Sequence, residues 1–242
     1  MHLDQYIVVA CIVLFAALIQ SISGFGFALM SVPLMVLIID LRVAVVVSAL
    51  VGTLSAAGQA WQMRNQQDRI LTRRFIISSC IGAPFGLAAF VWVPQDVLKV
   101  VLGVAVLFGV VVLSRGLDMR STHHSFDWLM GVLSGVLLMA TSTNGPPLVF
   151  TLHARRINPQ TFRATLNSVF AITGLISIGL FLVSGKMSSQ ILIISAIAIP
   201  IMIVGVYLGT LLRRVIAPER FRLIVLVLLT VSGLSSIVSA VL

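Results

Sequence analysis

Apolar residues are grouped along this chain into long runs that are separated by short polar segments. Six of these runs are about 16 to 23 residues long, close to the roughly 20 residues that an α-helix needs to cross a hydrocarbon core of ~30 Å. The pattern therefore predicts six transmembrane helices, over residues 43–61, 75–93, 98–113, 164–183, 190–212 and 223–242.

Two further apolar runs, residues 5–39 and 128–153, are too long for a single crossing. As continuous helices they would measure about 52 Å and about 39 Å. Each contains a cluster of Ser, Thr, Asn, Gly or Pro near its middle, which is typical of a helix end followed by a new helix start. We therefore expect each run to form a broken, re-entrant helical hairpin with arms of about 14 to 24 Å.

The composition agrees with a membrane protein. The chain of 242 residues is 59% hydrophobic and 10% charged, with a mean hydropathy of +1.14. A soluble domain is nearer one half apolar and one quarter charged, so soluble classes are excluded. The net charge of +9 does not indicate a nucleic-acid partner, because Lys and Arg lie in short gaps between apolar runs, where they meet membrane lipid head groups.

The distribution of these charges favours hairpins over single crossings for the two long runs. If both long runs are hairpins, 13 of the 16 Lys and Arg residues fall on one side of the membrane, which the positive-inside rule makes the cytoplasm. If each run crosses once, the two sides carry nearly equal numbers. The sequence thus predicts an all-α polytopic protein with cytoplasmic loops at residues 62–74, 114–127, 153–163 and 213–222.

Several features recur at an almost constant offset. They are Gly24 and Gly145, Arg42 and Arg163, both 121 residues apart, and the motifs Gly82-x-x-x-Gly86 and Gly205-x-x-x-Gly209, 123 apart. We predict two repeats, residues 1–120 and 121–242, each a hairpin followed by three transmembrane helices. Because three is an odd number, the second repeat would be inverted relative to the first, as in many transporters.

In transporters built from inverted repeats with broken helices, the binding site lies where the breaks meet. A helix start there presents free N–H groups and a partial positive charge, which suits an anion. Two interpretations stay open, since the same side chains can bind a ligand or only cap the helix ends. The candidate substrate-binding residues are Ser21, Ser23, Gly24, Phe25 and Gly26 in the first run and Thr141, Ser142, Thr143, Asn144 and Gly145 in the second.

Several residues outside the two breaks also have predicted roles. Gln20, Gln59 and Asn167 are polar residues of apolar runs that can reach a central cavity. The two motifs of paired glycines are expected to be helix-packing faces. Arg42 and Arg163 flank predicted spans, so we expect them to be lipid-facing anchors.

The absence of charged residues from the middle of the apolar runs bears on the function of the protein. None carries a charged residue at its middle, which argues against a buried proton relay, and the sequence offers no cofactor, metal or nucleotide-binding motif. A transporter of small anions, driven passively by the membrane potential, is favoured. The alternatives are an intramembrane enzyme acting on a lipid phosphate, which needs a partnered base or nucleophile, and a membrane scaffold or assembly factor.

Two motifs of the sequence also resemble motifs of a known protein family. Residues 23–34, SGFGFALMSVPL, resemble the opening Gly-rich motif of the TauE/SafE sulfite exporter family, and residues 143–148, TNGPPL, are similar to the matching motif in its second half. The resemblance covers essentially the whole chain. It implies a multi-pass permease of the bacterial inner membrane that moves sulfite, sulfonates or related organic anions, often outward. The family often shows a Gly-Gly pair where this chain has Phe25 between single glycines.

Overall fold

The computed structural model describes residues 3–114, 124–155, 157–212 and 218–241, and the regular structure within these ranges is entirely α-helical. The helices are, in chain order, α1 (Leu3–Ser23), α2 (Phe27–Met35), α3 (Leu41–Gln62), α4 (Arg69–Trp92), α5 (Gln95–Ser114), α6 (His124–Thr141), α7 (Gly145–Ala154), α8 (Pro159–Val183), α9 (Ser189–Leu212) and α10 (Pro218–Val241).

The six predicted spans correspond to α3, α4, α5, α8, α9 and α10. Within the described residues, five helices are long and apolar enough to cross a membrane, namely α1, α3, α4, α8 and α9. The predicted all-helical, polytopic membrane architecture is therefore confirmed.

Asx caps set the starts of three long helices. The side chain of Asp40 accepts hydrogen bonds from the N–H groups that follow it and starts α3. Asp68 does the same for α4, and the Asn158 side chain accepts from the Thr161 N–H at the start of α8. Each cap satisfies backbone donors that a helix start leaves open, so the helices begin at the polar gaps of the sequence.

The first long run is a hairpin of α1 and α2, broken at Gly24 to Gly26. Gly24 and Gly26 have φ angles of +88° and +97°, a left-handed conformation that glycine adopts without steric cost. At the open end, the Gln5 side-chain Nε2 donates to the Ile38 carbonyl oxygen at 3.2 Å. Both ends of the run therefore lie at the same face of the protein.

The arms of this hairpin differ from the expected lengths. With 21 residues α1 is about 31 Å long, enough to cross a membrane, whereas α2 measures only about 14 Å. The expectation of short arms is wrong for α1, because its polar residues do not interrupt the helix. The hydroxyls of Ser21 and Ser23 bond back to the carbonyl oxygens of Leu18 and Ile19 in the preceding turn.

The second long run is a hairpin of α6 and α7, broken at Ser142 to Asn144. Arg155, which follows α7, forms an ion pair with Asp127 in the first turn of α6 at 2.6 Å, so both ends again lie at one face. Helix α6 has 18 residues, about 27 Å, and is also longer than expected. The Thr141 hydroxyl bonds back to the Leu137 carbonyl oxygen, so this polar residue does not interrupt the helix before the break.

The two hairpins open at different faces. The second opens at the end that we call the basic face, where Arg74 of α4 also pairs with Asp127 and the Asp68 N–H donates to Thr165. The first opens at the other end, the opposite face, where Gln95 donates to Asp40. Entry from opposite faces is what an inverted repeat requires.

Helix packing is compatible with the same relationship. Helix α4 packs along α6, and α9 packs along α1, while α3 pairs with α8 and α5 with α10. If α1 to α5 are matched in order with α6 to α10, the α4–α6 pair corresponds to the α9–α1 pair. The α3–α8 and α5–α10 pairs each correspond to themselves. The division into residues 1–120 and 121–242 stays a prediction, and its boundary lies outside the described residues.

The two paired-glycine motifs are helix-packing faces, as predicted. A Cβ added at Gly82 or Gly86 would overlap backbone atoms of α6. A Cβ at Gly205 or Gly209 would overlap the carbonyl oxygens of α1 in the same way. Close backbone approach at small residues is the usual basis of helix association in membranes.

Candidate anion-binding site

The tips of both hairpins line one cavity of about 50 Å³ at the centre of the protein. By comparison, one water molecule needs about 10–15 Å³ by this measure, so the cavity has room for a small polyatomic ion. Its walls come from α1, the start of α2, the middle of α3 and α8, and the tip between α6 and α7.

Five of the ten candidate residues line this cavity, and five lie beside it. Those in the wall are Gly26, Ser142, Thr143, Asn144 and Gly145. Those outside the wall are Ser21, Ser23, Gly24, Phe25 and Thr141. Ser21 faces Gly209 of α9, the Phe25 ring packs edge-on against Phe162, and the Thr141 hydroxyl bonds to that of Thr143 at 2.6 Å.

The start of α2 presents backbone donors to the cavity. Gly26 is its N-cap and provides no side-chain capping bond, and the first helical hydrogen bond runs from the Met30 N–H to the Gly26 carbonyl oxygen at 3.1 Å. The N–H groups of Phe27, Ala28 and Leu29 precede that bond, and all three residues line the cavity. This helix start therefore offers N–H groups and a partial positive charge to a ligand.

The start of α7 offers fewer backbone donors than the start of α2, and it adds a side chain. Asn144 is the N-cap and Gly145 the first helical residue, and the next two residues, Pro146 and Pro147, supply no N–H. The Asn144 carbonyl oxygen accepts from the Ser134 hydroxyl at 2.9 Å, which fixes the backbone. Its side-chain amide makes no capping bond and lies at the cavity. The neighbouring Ser142 has a φ of +59°, a conformation that is costly for residues other than glycine.

Polar residues of α1 and α3 complete the wall. The Gln20 side-chain oxygen accepts from the Ser55 hydroxyl at 2.8 Å, which leaves its NH₂ group as the remaining donor. The Ser48 hydroxyl lies 2.9 Å from that of Ser31. Sequence reasoning did not select Ser48 or Thr53. For Ser48 the available signal was a stripe of polar and small residues on one face of α3, at positions 48, 52, 55 and 59, whereas Thr53 lies outside this stripe.

None of the described residues that line the cavity is charged. Within the described ranges there is also no group of three or more His, Cys, Asp or Glu residues that could hold a metal ion. An anion bound here would be held by backbone N–H groups, hydroxyls and amides, without a fixed counter-charge.

The expectation of lipid-facing anchors is wrong for Arg42 and Arg163, because both are half-buried against protein groups. The stem of Arg163 packs on Gly24, and its guanidinium lies 3.5 Å from the Ile22 carbonyl oxygen. Arg42 donates to the carbonyl oxygens of Val91 and Val93 at the opposite face. Carbonyl groups at helix ends need donors, and the two guanidinium groups supply them.

A helical membrane protein whose broken hairpins meet at a cavity has the architecture of a secondary transporter. Residues 9–236 match the family model described as Sulfite exporter TauE/SafE, and the chain belongs to this family.

Two relatives agree with this assignment. The chain is 24% identical over 200 residues, 78% of its length and 77% of the relative's, to a probable sulfite/organosulfonate exporter TauE of Cupriavidus necator. It is 34% identical over 115 residues, 47% and 46% of the two lengths, to a probable inner membrane transporter protein TsaS of Comamonas testosteroni. No solved structure matches the chain.

The protein is therefore a multi-pass inner-membrane anion transporter and not an enzyme, in agreement with the function predicted from the sequence. The family and both relatives are named for export or transport. The alternatives of a lipid-phosphate enzyme and of a membrane scaffold are accordingly set aside.

Proposed function

We propose that the chain exports a small sulfur-containing anion, such as sulfite or an organosulfonate, through the cavity between the two hairpin tips. One observation carries the proposal: two helix starts from opposite hairpins line one cavity without a charged side chain. The name of the Cupriavidus necator relative, with its sulfite and organosulfonate substrates, supports the same substrate class.

The chemistry of the wall suits such an anion. The oxygens of a sulfite or sulfonate group accept hydrogen bonds, and the cavity offers them the α2 N–H groups, the hydroxyls of Ser142 and Thr143 and the amide of Asn144. A helix start contributes about half a positive charge. Without a full cation, the site binds an anion weakly enough to release it, which transport requires.

The size of the cavity favours compact substrates. At about 50 Å³ it accommodates a group the size of sulfite, whereas the carbon chain of a larger sulfonate needs the walls to move. We infer that movement of the two hairpin tips relative to α3 and α8 opens the site to each face in turn. The two inverted repeats, residues 1–120 and 121–242, would supply the equivalent halves of this movement.

Efflux of radiolabelled sulfite from anaerobic proteoliposomes tests the site. Asn144→Leu removes the free amide, and we expect it to abolish efflux. Ser142→Gly removes a hydroxyl while keeping the left-handed backbone, and should lower efflux. Ser195→Ala is the matched control, because Ser195 is a buried serine of α9 outside the cavity wall.

Folding of each variant is checked by its elution as a monodisperse species in detergent. Normal efflux by both Asn144→Leu and Ser142→Gly would contradict the proposal, since the side chains of the second tip would then not contribute to transport. Equal loss of efflux in the Ser195→Ala control would also count against it, because the effect would not depend on the cavity.

A further inference from the structure

A second concave site lies at the basic face, between α4 and α8, away from the central cavity. It is an open groove with a volume of about 520 Å³. Three arginines, Arg64, Arg69 and Arg73, lie at its mouth, and three isoleucines, Ile76, Ile77 and Ile172, form its apolar part. A groove with guanidinium groups at one end and branched aliphatic side chains at the other suits an amphipathic ligand. We call it the α4–α8 groove.

The positive charge of the groove is not neutralised within the described part of the chain. Arg69 and Arg73 are exposed, follow each other at a spacing of one helical turn, and form no ion pair there. Asp68 is the nearest acid in sequence, and its carboxylate already accepts the Ile70 and Leu71 N–H groups. Like charges at i and i+4 repel each other, so an anion between them would be stabilising.

One buried polar atom also lacks a partner at this site. The Thr72 side chain is 6% exposed and lines the groove, and its hydroxyl makes no hydrogen bond to any described residue. A buried hydroxyl without a partner costs free energy that a ligand oxygen would recover. On α4, Thr72 lies between Arg69 and Arg73 and one turn before Ile76.

The apolar part extends toward the centre of the membrane. Ile172 lies seven residues, about 10 Å, beyond Thr165, whose hydroxyl accepts the Asp68 N–H at the mouth. Farther along the same face of α4, Ile77, Ile81 and Phe85 are exposed at intervals of four residues. A chain leaving the groove would therefore follow an apolar surface.

We propose that the α4–α8 groove binds an anionic phospholipid, with its phosphate between the arginines at the mouth and an acyl chain along the isoleucines. The two ends of the groove distinguish this ligand from a soluble anion, which would gain nothing from the apolar part. Basic pockets beside transmembrane helices are a recurring type of site for anionic lipid head groups.

Native mass spectrometry of the full chain in detergent, with phosphatidylglycerol or phosphatidylcholine added, tests this site. We expect phosphatidylglycerol to bind more tightly, and the double variant Arg69→Gln/Arg73→Gln to bind it about 30-fold more weakly, from ~1 kcal/mol per basic residue. Thr72→Val should weaken binding about fivefold. Lys186→Gln, which removes one charge from the loop before α9, is the control and should leave binding unchanged.

Thermal unfolding without added lipid shows whether the variants are folded. Equal binding of the two lipids by the wild-type chain would overturn the proposal, as would unchanged phosphatidylglycerol binding by the double arginine variant. Inorganic phosphate distinguishes the source of the ligand. If millimolar phosphate displaces phosphatidylglycerol completely, the groove is a site for soluble anions and the lipid proposal is wrong.

Discussion

The aliphatic stem of Arg163 lies against Gly24, in the space where any other residue at position 24 would place its Cβ. Asn167, one turn farther along α8, donates to the Gly24 carbonyl oxygen at 3.3 Å. The first hairpin tip is thus held on α8 by packing and by a hydrogen bond. Phe170, which lines the cavity, lies two turns beyond Arg163, so this contact positions the tip beside the site.

Gly24→Ala should therefore impair transport by displacing the first tip. The added methyl group overlaps the Arg163 stem, and alanine at a φ of +88° also pays about 1–2 kcal/mol of backbone strain. Gly185→Ala is the matched control, because Gly185 also has a positive φ but nothing lies within 4 Å of an added Cβ. Efflux from proteoliposomes and thermal unfolding of both variants are compared. Similar mild effects in the two variants would show that the Arg163 contact does not position the tip.

The packing of α6 on α4 depends on Gly135 of α6. A Cβ at this position would overlap the Ser79 carbonyl group of α4, and backbone atoms cannot move aside. We expect Gly135→Ala to destabilise the protein by about 1–3 kcal/mol. Gly179→Ala in α8, where an added Cβ meets nothing within 4 Å, should stay within about 1 kcal/mol of wild type. Thermal unfolding in detergent measures both, and equal stabilities would contradict the close packing of α4 on α6.

The base of the second hairpin depends on the carboxylate of Asp127. Its side chain is fully buried and pairs with Arg74 at 3.2 Å and with Arg155 at 2.6 Å. Asp127→Asn removes the charge that both guanidinium groups share, and we expect a loss of about 3 kcal/mol in stability. Asp96→Asn is the control, because the Asp96 side chain is 67% exposed and its pair with Lys99 contributes little. The two variants should differ clearly in thermal stability, and similar midpoints would exclude a structural role for the Asp127 pairs.

The helices of this protein were predictable because a membrane leaves few alternatives. Backbone groups in a bilayer must be satisfied internally, so apolar runs of spanning length become helices. The breaks were equally clear, since glycine at positions 24 and 26 permits the left-handed conformations found there, and the Pro146-Pro147 pair favours the first turn of a helix, where it lies. Both features are local properties of the sequence.

The orientation of single polar side chains was not predictable from the same pattern. Ser23 and Thr141 lie at the breaks, but their hydroxyls bond to carbonyl oxygens of their own helices and do not reach the cavity. Ser48 lies in an apolar run and does reach it. Whether a hydroxyl serves its own helix or a cavity depends on tertiary packing, which no local spacing encodes.

Cysteine labelling tests the orientation of the repeats in the membrane. In a chain whose natural Cys11 and Cys80 are replaced by serine, a cysteine at position 160 should react with a membrane-impermeant reagent from the cytoplasmic side. A cysteine at position 186 should react from the outside. These outcomes follow from the charge distribution and from the opposite openings of the two hairpins. Labelling of position 160 from the outside alone would contradict the predicted topology and the inverted repeat.

The last prediction concerns the driving force, which we expect to be the membrane potential alone. No described residue in the cavity wall is titratable near neutral pH, and the buried carboxylate of Asp127 lies at the basic face in ion pairs with two arginines. The site therefore offers no carboxylate for proton exchange. In a cell that is negative inside, an anion gains about 2.3 kcal/mol per charge per 100 mV by leaving, which sustains a gradient of roughly fifty-fold. Proteoliposomes with an imposed potassium–valinomycin potential measure this directly, and sulfite flux should follow the sign and size of the voltage. Flux that ignores the voltage and follows a proton or sodium gradient would show that the transporter is coupled to an ion.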